Sequence, residues 1–387
     1  MFFNPARRSI SPGLEWPFLL LCGFLVTWAI LISWIFSYLP VDQAAMEAAR
    51  VQAMVIEAVR QGALDQGLSI DPDSDRHGTG LIGEVYTGLT STQGSLPAKR
   101  TAATPDAAAL LVALLREAGV GAGSVVAVNA SGSFPGFALA AVSACGALGA
   151  EAVIVLSIGS SSWGANRPDY TVLDMFMVAA GAEAWPPDYP AEIAALSPGG
   201  SDDRGLDLDP QALEPVLARA VALGIPVLYP QSLGAAVSSR MALFRAAGEP
   251  DVLLTIGGNF AATGADPALS LLSGIIRPEA PGAPGLAGGN SLVQEFLRAG
   301  RPVIQVLNIK DLSARYGLPY DPVAVAGFGR SGVYRPGASR ILGPELELDL
   351  GWGLGLRLGV LVLVFLPVLG VLAAYARYRR RFRLIGR

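Results

Sequence analysis

The sequence predicts an α/β chain: a Rossmann-like open, mostly parallel sheet with helices on both faces, flanked by one transmembrane helix at each terminus. Three observations lead there. Short apolar runs at 125–128, 152–156, 225–228, 252–256 and 303–307 lack polar alternation, as strands buried on both faces do. A glycine stands before each (Gly119, Gly149, Gly224, Gly248, Gly300), and in four of the five cycles a helical stretch comes first. Finally, residues 17–39 and 358–376 carry no charge, and each reaches the roughly 20 residues that a helix needs to cross the hydrocarbon of a bilayer.

In chain order, residues 1–16 form an N-terminus with Arg7 and Arg8, and 17–39 form the first span. A retained span is expected rather than a cleaved signal, because the apolar run is too long and no small-x-small site follows it. Residues 40–80 read as a stalk helix and an acidic linker, with Ala48, Val51, Val55, Ala58 and Val59 on one helical face. The α/β domain covers 81–322. Its clearest helices are one opened by Thr104-Pro105, with Leu111, Leu114, Leu115 and Ala118 on one face, and one with Leu213, Val216, Leu217, Ala220 and Val221. A Gly- and Pro-containing tether over 323–352 leads to a second span over 353–376 and a basic tail, 377–387. Arginines at both outer ends place both termini in the cytoplasm of a two-pass inner-membrane protein, with the main domain extracytoplasmic. Trp16, Trp34, Trp352 and Tyr378 fit interfacial belts.

Charge and cysteine narrow the function. Residues 40–352 hold 19 Lys and Arg against 31 Asp and Glu, a net of about −12, which argues against a nucleic-acid partner. Cys22 lies in the first span and Cys145 in a helix, so no intrachain disulfide is expected.

In open parallel sheets ligands bind beyond the carboxyl ends of the strands. Here those ends carry small, hydroxyl and amide residues: Asn129, Ser131, Gly132, Ser133 and Gly136 after the first; Ser161, Ser162, Trp163 and Asn166 after the second; then Gly257, Gly258 and Asn259, and Asn308 with Lys310. Backbone N–H groups beside Gly132 suit a carboxylate or phosphate, although tight βα turns need small residues for purely structural reasons. No cofactor is expected. Gly132-x-x-x-Gly136 is not a dinucleotide fingerprint, the second strand ends in Ser157 where a ribose-binding acid would stand, and no phosphate-binding G-K-[ST] occurs. No metal is expected either. Asp71, Asp73 and Asp75 resemble the start of a calcium loop, but Arg76 and Ile82 replace its glycine and glutamate. Asp202-Asp203 reads as a flexible turn more readily than as paired carboxylates. For catalysis, Ser131 and Ser133 sit between strand and helix, where a nucleophile stands in hydrolases, and of the two lysines Lys99 and Lys310 the second is better placed to activate them. The single histidine, His77, lies in the linker.

Five segments in order, Gly94-Ser-Leu-Pro-Ala-Lys-Arg-Thr-Ala-Ala-Thr-Pro-Asp106, Asn129-Ala-Ser-Gly-Ser-Phe-Pro-Gly136, Ser160-Ser-Ser-Trp-Gly-Ala-Asn166, Gly257-Gly-Asn259 and Leu307-Asn-Ile-Lys310, together resemble the poly-γ-glutamate system protein family across roughly residues 80–322. Pro97 and the loop 199–205 depart from that pattern. The resemblance implies an accessory role in poly-γ-glutamate synthesis or export, with the polymer and the membrane components of its synthase as partners; the two apolar runs add the lipid bilayer, and the acidic balance leaves no nucleic acid among them. It names a pathway and no reaction. Two other expectations stand beside it: a serine-dependent hydrolase or transferase that trims or attaches the polymer, and a non-catalytic scaffold for the synthase.

Overall fold

The computed structural model describes residues 41–264, 267–279 and 290–335, together with 21, 23–25, 27, 28 and 370. The chain divides into two compact units, residues 1–40 with 341–387, and residues 41–340. The described residues of the first unit are helical, and Thr27 Oγ1 donates to Gly23 O at 2.8 Å.

Among the described residues, no helix is long and apolar enough to cross a membrane. This overturns the expected flanking helices and the two-pass inner-membrane location that rested on them. Among the described residues the one helix of sufficient length, α1 (Gln43–Asp65), carries Glu47, Arg50, Glu57, Arg60 and Asp65 and lays its apolar stripe on protein. Most of 17–39 and 353–376, along with 1–16 and 377–387, lies outside the described residues.

The second unit is an α/β layer structure. Its six-stranded mixed sheet is formed by β1 (Val125–Ser131), β2 (Glu151–Ser157), β3 (Ala191–Ser197), β4 (Val252–Ile256), β5 (Gly274–Ile276) and β6 (Val303–Val306) in the order β3-β2-β1-β4-β6-β5. All neighbours are parallel except the β6–β5 pair. Successive side chains of a strand point to opposite faces, and this alternation sorts the core into two layers. Val126, Val128, Ile154, Leu156, Leu254 and Ile304 share one core cluster with α1, α3 (Asp106–Glu117), α4 (Pro135–Leu148), α5 (Val172–Gly181) and α6 (Pro210–Ala222). Ala127, Val153, Val155 and Leu253 meet α7 (Leu233–Ala246) and α8 (Leu292–Arg298).

Two expectations about strands fail for readable reasons. The run 225–228 makes only a single bridge, Leu196 to Val227, because Pro226 has no N–H to give a ladder and the run lies at the sheet edge. The true third strand, β3, begins with exposed Ala191 and Glu192 and so lacks the look of a buried run.

The expected stalk is core. Ala45, Ala48, Val51, Val55 and Val59 of α1 are buried, and Gln52, fully buried, donates to Gly136 O at 3.2 Å and accepts from Ser143 Oγ at 3.0 Å. Asp42 caps α1, accepting from Ala44 N at 2.9 Å, and pairs with Arg116. The supposed linker is also fixed. Asp75 accepts from Thr79 N at 3.0 Å and Gly80 N at 2.7 Å, so this carboxylate serves backbone groups, and His77 Nε2 lies 3.0 Å from Pro322 O. Residues 331–335 close the unit: Ser331 and Tyr334 donate to buried Asp106, and Asp42 N donates to Tyr334 O at 2.8 Å. Burial raises the Asp106 pKa, against the lowering effect of those two hydroxyl bonds.

Gly136 lets α4 approach α2 (Leu96–Ala102) closely, since a Cβ there would lie 2.1 Å from Ala102 O. Gly136→Ala is therefore expected to destabilise the chain by about 2 kcal/mol through overpacking. The urea midpoint of the full-length variant checks this; an unchanged midpoint would show that the α2–α4 contact yields freely.

Candidate functional site

β1 and β4 are neighbours, but the chain leaves β1 for β2 and β3 on one side and only later returns to β4 on the other, which makes a switch point at their carboxyl ends. A cleft of about 510 Å³ opens there. Its wall includes Ser131, Ser133 and Phe134 after β1, Ser157, Gly159 and Ser161 after β2, Gly258 and Asn259 after β4, and Asn308 and Lys310 after β6. The loop 91–95 and Lys99 close another side, and Gly199, Gly200 and Asp207 a third.

Under the cleft lies a buried ionic hub. Arg240, in the middle of α7, and Asp203 are both fully buried, with Nη1 to Oδ2 at 2.6 Å and Nη2 to Oδ1 at 2.9 Å. Arg240 also donates to Asn129 Oδ1 at 3.0 Å, Ser197 Oγ at 2.7 Å and Ser157 Oγ at 3.2 Å. Asn259 Nδ2 donates to Ser157 Oγ at 2.6 Å, while its Oδ1 caps the turn Phe260–Thr263 by accepting from Ala262 N at 3.0 Å. The hub thus joins the ends of β1, β2 and β3 to the segment after β4. It also pins the loop 199–205, which is not a flexible turn: Asp202 and Asp203 hold positive φ angles of 53° and 62° there.

Lys99, on α2, is the second buried basic residue among the described residues. It is 2% exposed, and its Nζ donates to Ser133 O and, at 2.7 Å, to Ser161 Oγ, while lying 3.9 Å from the Phe134 ring centroid. These partners are all neutral, and burial pushes the lysine pKa down from 10.5 to about 7. Ser161 is delivered to it by the pairing of Thr90–Thr92 with Ser160–Ser161, and Ser161 N donates to Ser133 Oγ at 3.1 Å. Gly94 permits the loop to cross here, since a Cβ would meet Ser162 O at 2.3 Å and both Lys99 Cε and Ser161 Oγ at 3.1 Å.

The residues singled out in the sequence separate into two groups. Ser131, Ser133, Ser161, Gly258, Asn259, Asn308 and Lys310 line the cleft. Asn308 caps α9 (Ile309–Tyr316) by accepting from Asp311 N at 3.3 Å, and Lys310 is exposed in the first turn. Ser131 Oγ donates to Ile256 O at 3.4 Å. The remainder support the wall from behind. Asn129 faces Arg240; Gly132 N donates to Ser157 O at 2.9 Å; Ser162 N donates to Thr92 O at 2.9 Å. Gly257 turns the chain at φ 84° where a Cβ would lie 2.3 Å from Ser131 Oγ. Trp163 has φ 65° and packs on the core, and Asn166 ties Glu84 and Thr90 in place through bonds of 2.8 and 2.9 Å. Lys99, not Lys310, is the lysine that touches a serine hydroxyl, and that hydroxyl belongs to Ser161; Ser133 meets the lysine only through its backbone carbonyl.

Sequence reasoning passed over Arg240 and ranked Lys99 second. One compositional signal was present: of 28 basic residues only Lys99 and Lys310 are lysines, and both reach this cleft. No family model matches the chain, and no curated protein or solved structure is significantly similar to it.

Two outcomes test the buried groups. Arg240→Met strands the Asp203 carboxylate and is expected to cost roughly 3–5 kcal/mol in urea unfolding; a loss below 1 kcal/mol would mean that water reaches the hub. For Lys99, the folded state releases its proton near pH 7 while the unfolded chain keeps it to about 10.5. Within that window the unfolded state binds the extra proton, so rising pH stabilises the fold by up to ~1.4 kcal/mol per unit. Below the window the full cost of burying the charge is present. Lys99→Met should lack this slope; parallel stability–pH curves for the two proteins would contradict the assignment.

Proposed function

We propose that this chain is an accessory protein of poly-γ-glutamate synthesis or export that holds glutamyl chains in the strand-end cleft. The observation that carries the reading is convergence. The five segments that resemble the poly-γ-glutamate system family are spread from Gly94 to Lys310, yet each contributes to one wall: Gly94 and Lys99, Ser131 and Ser133, Ser161, Gly258 and Asn259, and Asn308 with Lys310. Segments that served the fold alone would have no reason to meet at one opening.

Electrostatics supports the same reading. A polyanion is repelled at long range by a domain of net charge about −12, but the cleft wall sets exposed Lys310, beside the buried Lys99 whose pKa is lowered to about 7, against one carboxylate, Asp207, whose Oδ1 accepts from Ser201 N at 2.6 Å. Hydroxyls of Ser131, Ser133 and Ser161 and the amide of Asn308 offer donors and acceptors to a chain of repeating amides and carboxylates. Lys310, exposed at the rim, is the cation for a glutamyl carboxylate.

Calorimetric titration of the full-length chain with γ-linked glutamate decamers tests this. Binding is expected, weakened roughly tenfold by Lys310→Ala and by raised salt, and weaker for α-linked decamers of equal charge. Equal affinity for the two linkages would reduce the cleft to a charge patch, and no binding at millimolar oligomer would remove the reading.

A further inference from the structure

The geometry points to Ser161 and Lys99 as a nucleophile and base that transfer an acyl group from a glutamyl amide bound in the cleft. This rests on the proposed function for its substrate class and goes beyond it in assigning a reaction. Four observations carry it. Lys99 Nζ lies 2.7 Å from Ser161 Oγ, within reach for proton transfer, and both residues line the cleft. The lysine is held by neutral groups only, the Ser133 carbonyl, the Ser161 hydroxyl and the Phe134 ring. Ser161 Oγ has Lys99 as its one hydrogen-bond partner among the described residues, so the hydroxyl is not engaged in capping or bracing. Finally, a chain that uses arginine at 26 of its 28 basic positions keeps lysine here, and arginine cannot give up its proton in a protein. A purely structural cation bridging Ser133 O and Ser161 would not need that freedom.

The step balances without any further cofactor. As Ser161 Oγ adds to the amide carbonyl carbon, neutral Lys99 takes the hydroxyl proton. Collapse of the tetrahedral adduct breaks the C–N bond, and the Lys99 ammonium gives its proton to the departing amine. The acyl group remains as an ester on Ser161. Water then adds to the ester carbonyl while Lys99 takes one of its protons. The C–O bond to Ser161 breaks, the proton returns to Oγ, and a carboxylic acid leaves. The sum is amide plus water giving acid plus amine; an amine in place of water gives transfer instead of hydrolysis. Burial places the Lys99 pKa near 7, so a large share of the lysine is neutral at neutral pH.

The test uses the full-length chain and a fluorophosphonate, with the adduct mapped by mass spectrometry, beside an incubation with γ-linked glutamate decamers whose lengths are followed. The expected result is a single adduct on Ser161, absent in Ser161→Ala and at least 100-fold slower to form in Lys99→Arg, together with shortening of the decamers by the unaltered chain alone. Ser161→Ala removes only the hydroxyl that Lys99 touches and should melt as the parent does, which guards against an unfolded control. The labelling rate of the unaltered chain should rise as pH passes about 7 and then level off; the other titratable groups on the wall are Lys310, Asp207 and Tyr320. An adduct without shortening would overturn the glutamyl amide as substrate. No adduct in a chain that still binds decamers would overturn the nucleophile and leave the binding function standing. Labelling that survives in Lys99→Arg at the parental rate would overturn the base.

Discussion

The Arg240–Asp203 pair is the constraint on which the rest of the site depends. A fully buried guanidinium and carboxylate must satisfy each other and every remaining donor, or the fold pays heavily for desolvating them. Here the remaining donors reach Asn129, Ser157 and Ser197, which belong to three adjacent strands. Asp203 comes from a loop in which it and Asp202 both take left-handed backbone. The strand ends, the helix α7 and the loop therefore have one mutually consistent arrangement, and the cleft floor inherits its shape from it. The sheet supplies the platform; the ion pair ties the side chains of three strand ends together at the edge where chemistry is possible.

Above that floor the second buried basic residue is treated differently. Arg240 meets a carboxylate and keeps its charge, whereas Lys99 meets a carbonyl, a hydroxyl and an aromatic face. The two environments separate a permanent structural charge from one that titrates near neutrality, and the choice of arginine for one and lysine for the other agrees with what each side chain is able to do.

How much was legible follows from the range over which each feature is encoded. β1, β2, β4 and β6 were readable because burial on both faces writes a continuous apolar run. β3 was not, since its first half is exposed, and β5, three residues long, carries too little pattern. The apolar run at 225–228 misled because composition outvoted the missing N–H of Pro226. α1 was found as a helix but misplaced: its periodic face fits a core as well as it fits a stalk, and nothing local distinguishes them. The apolar character of 17–39 and 358–376 is plain in the sequence, yet no described helix answers to a membrane span. At the site, small residues after strands announced the edge, but partnerships such as Lys99 with Ser161, 62 positions apart, and Arg240 with Asp203 exist only once the strands are ordered.

The contact between Asp42 N and Tyr334 O has a mechanical side. It brings the two ends of the α/β unit together, so a pull applied at residues 41 and 335 would act as a peeling load on the first turn of α1 and on the segment 331–335. Fraying at this clasp would precede any disturbance of the strand-end cleft, which leaves the site insulated from tension in the chain on either side. The same closeness means that a short linker would suffice to close the unit into a ring, with new ends opened at a surface loop far from the cleft.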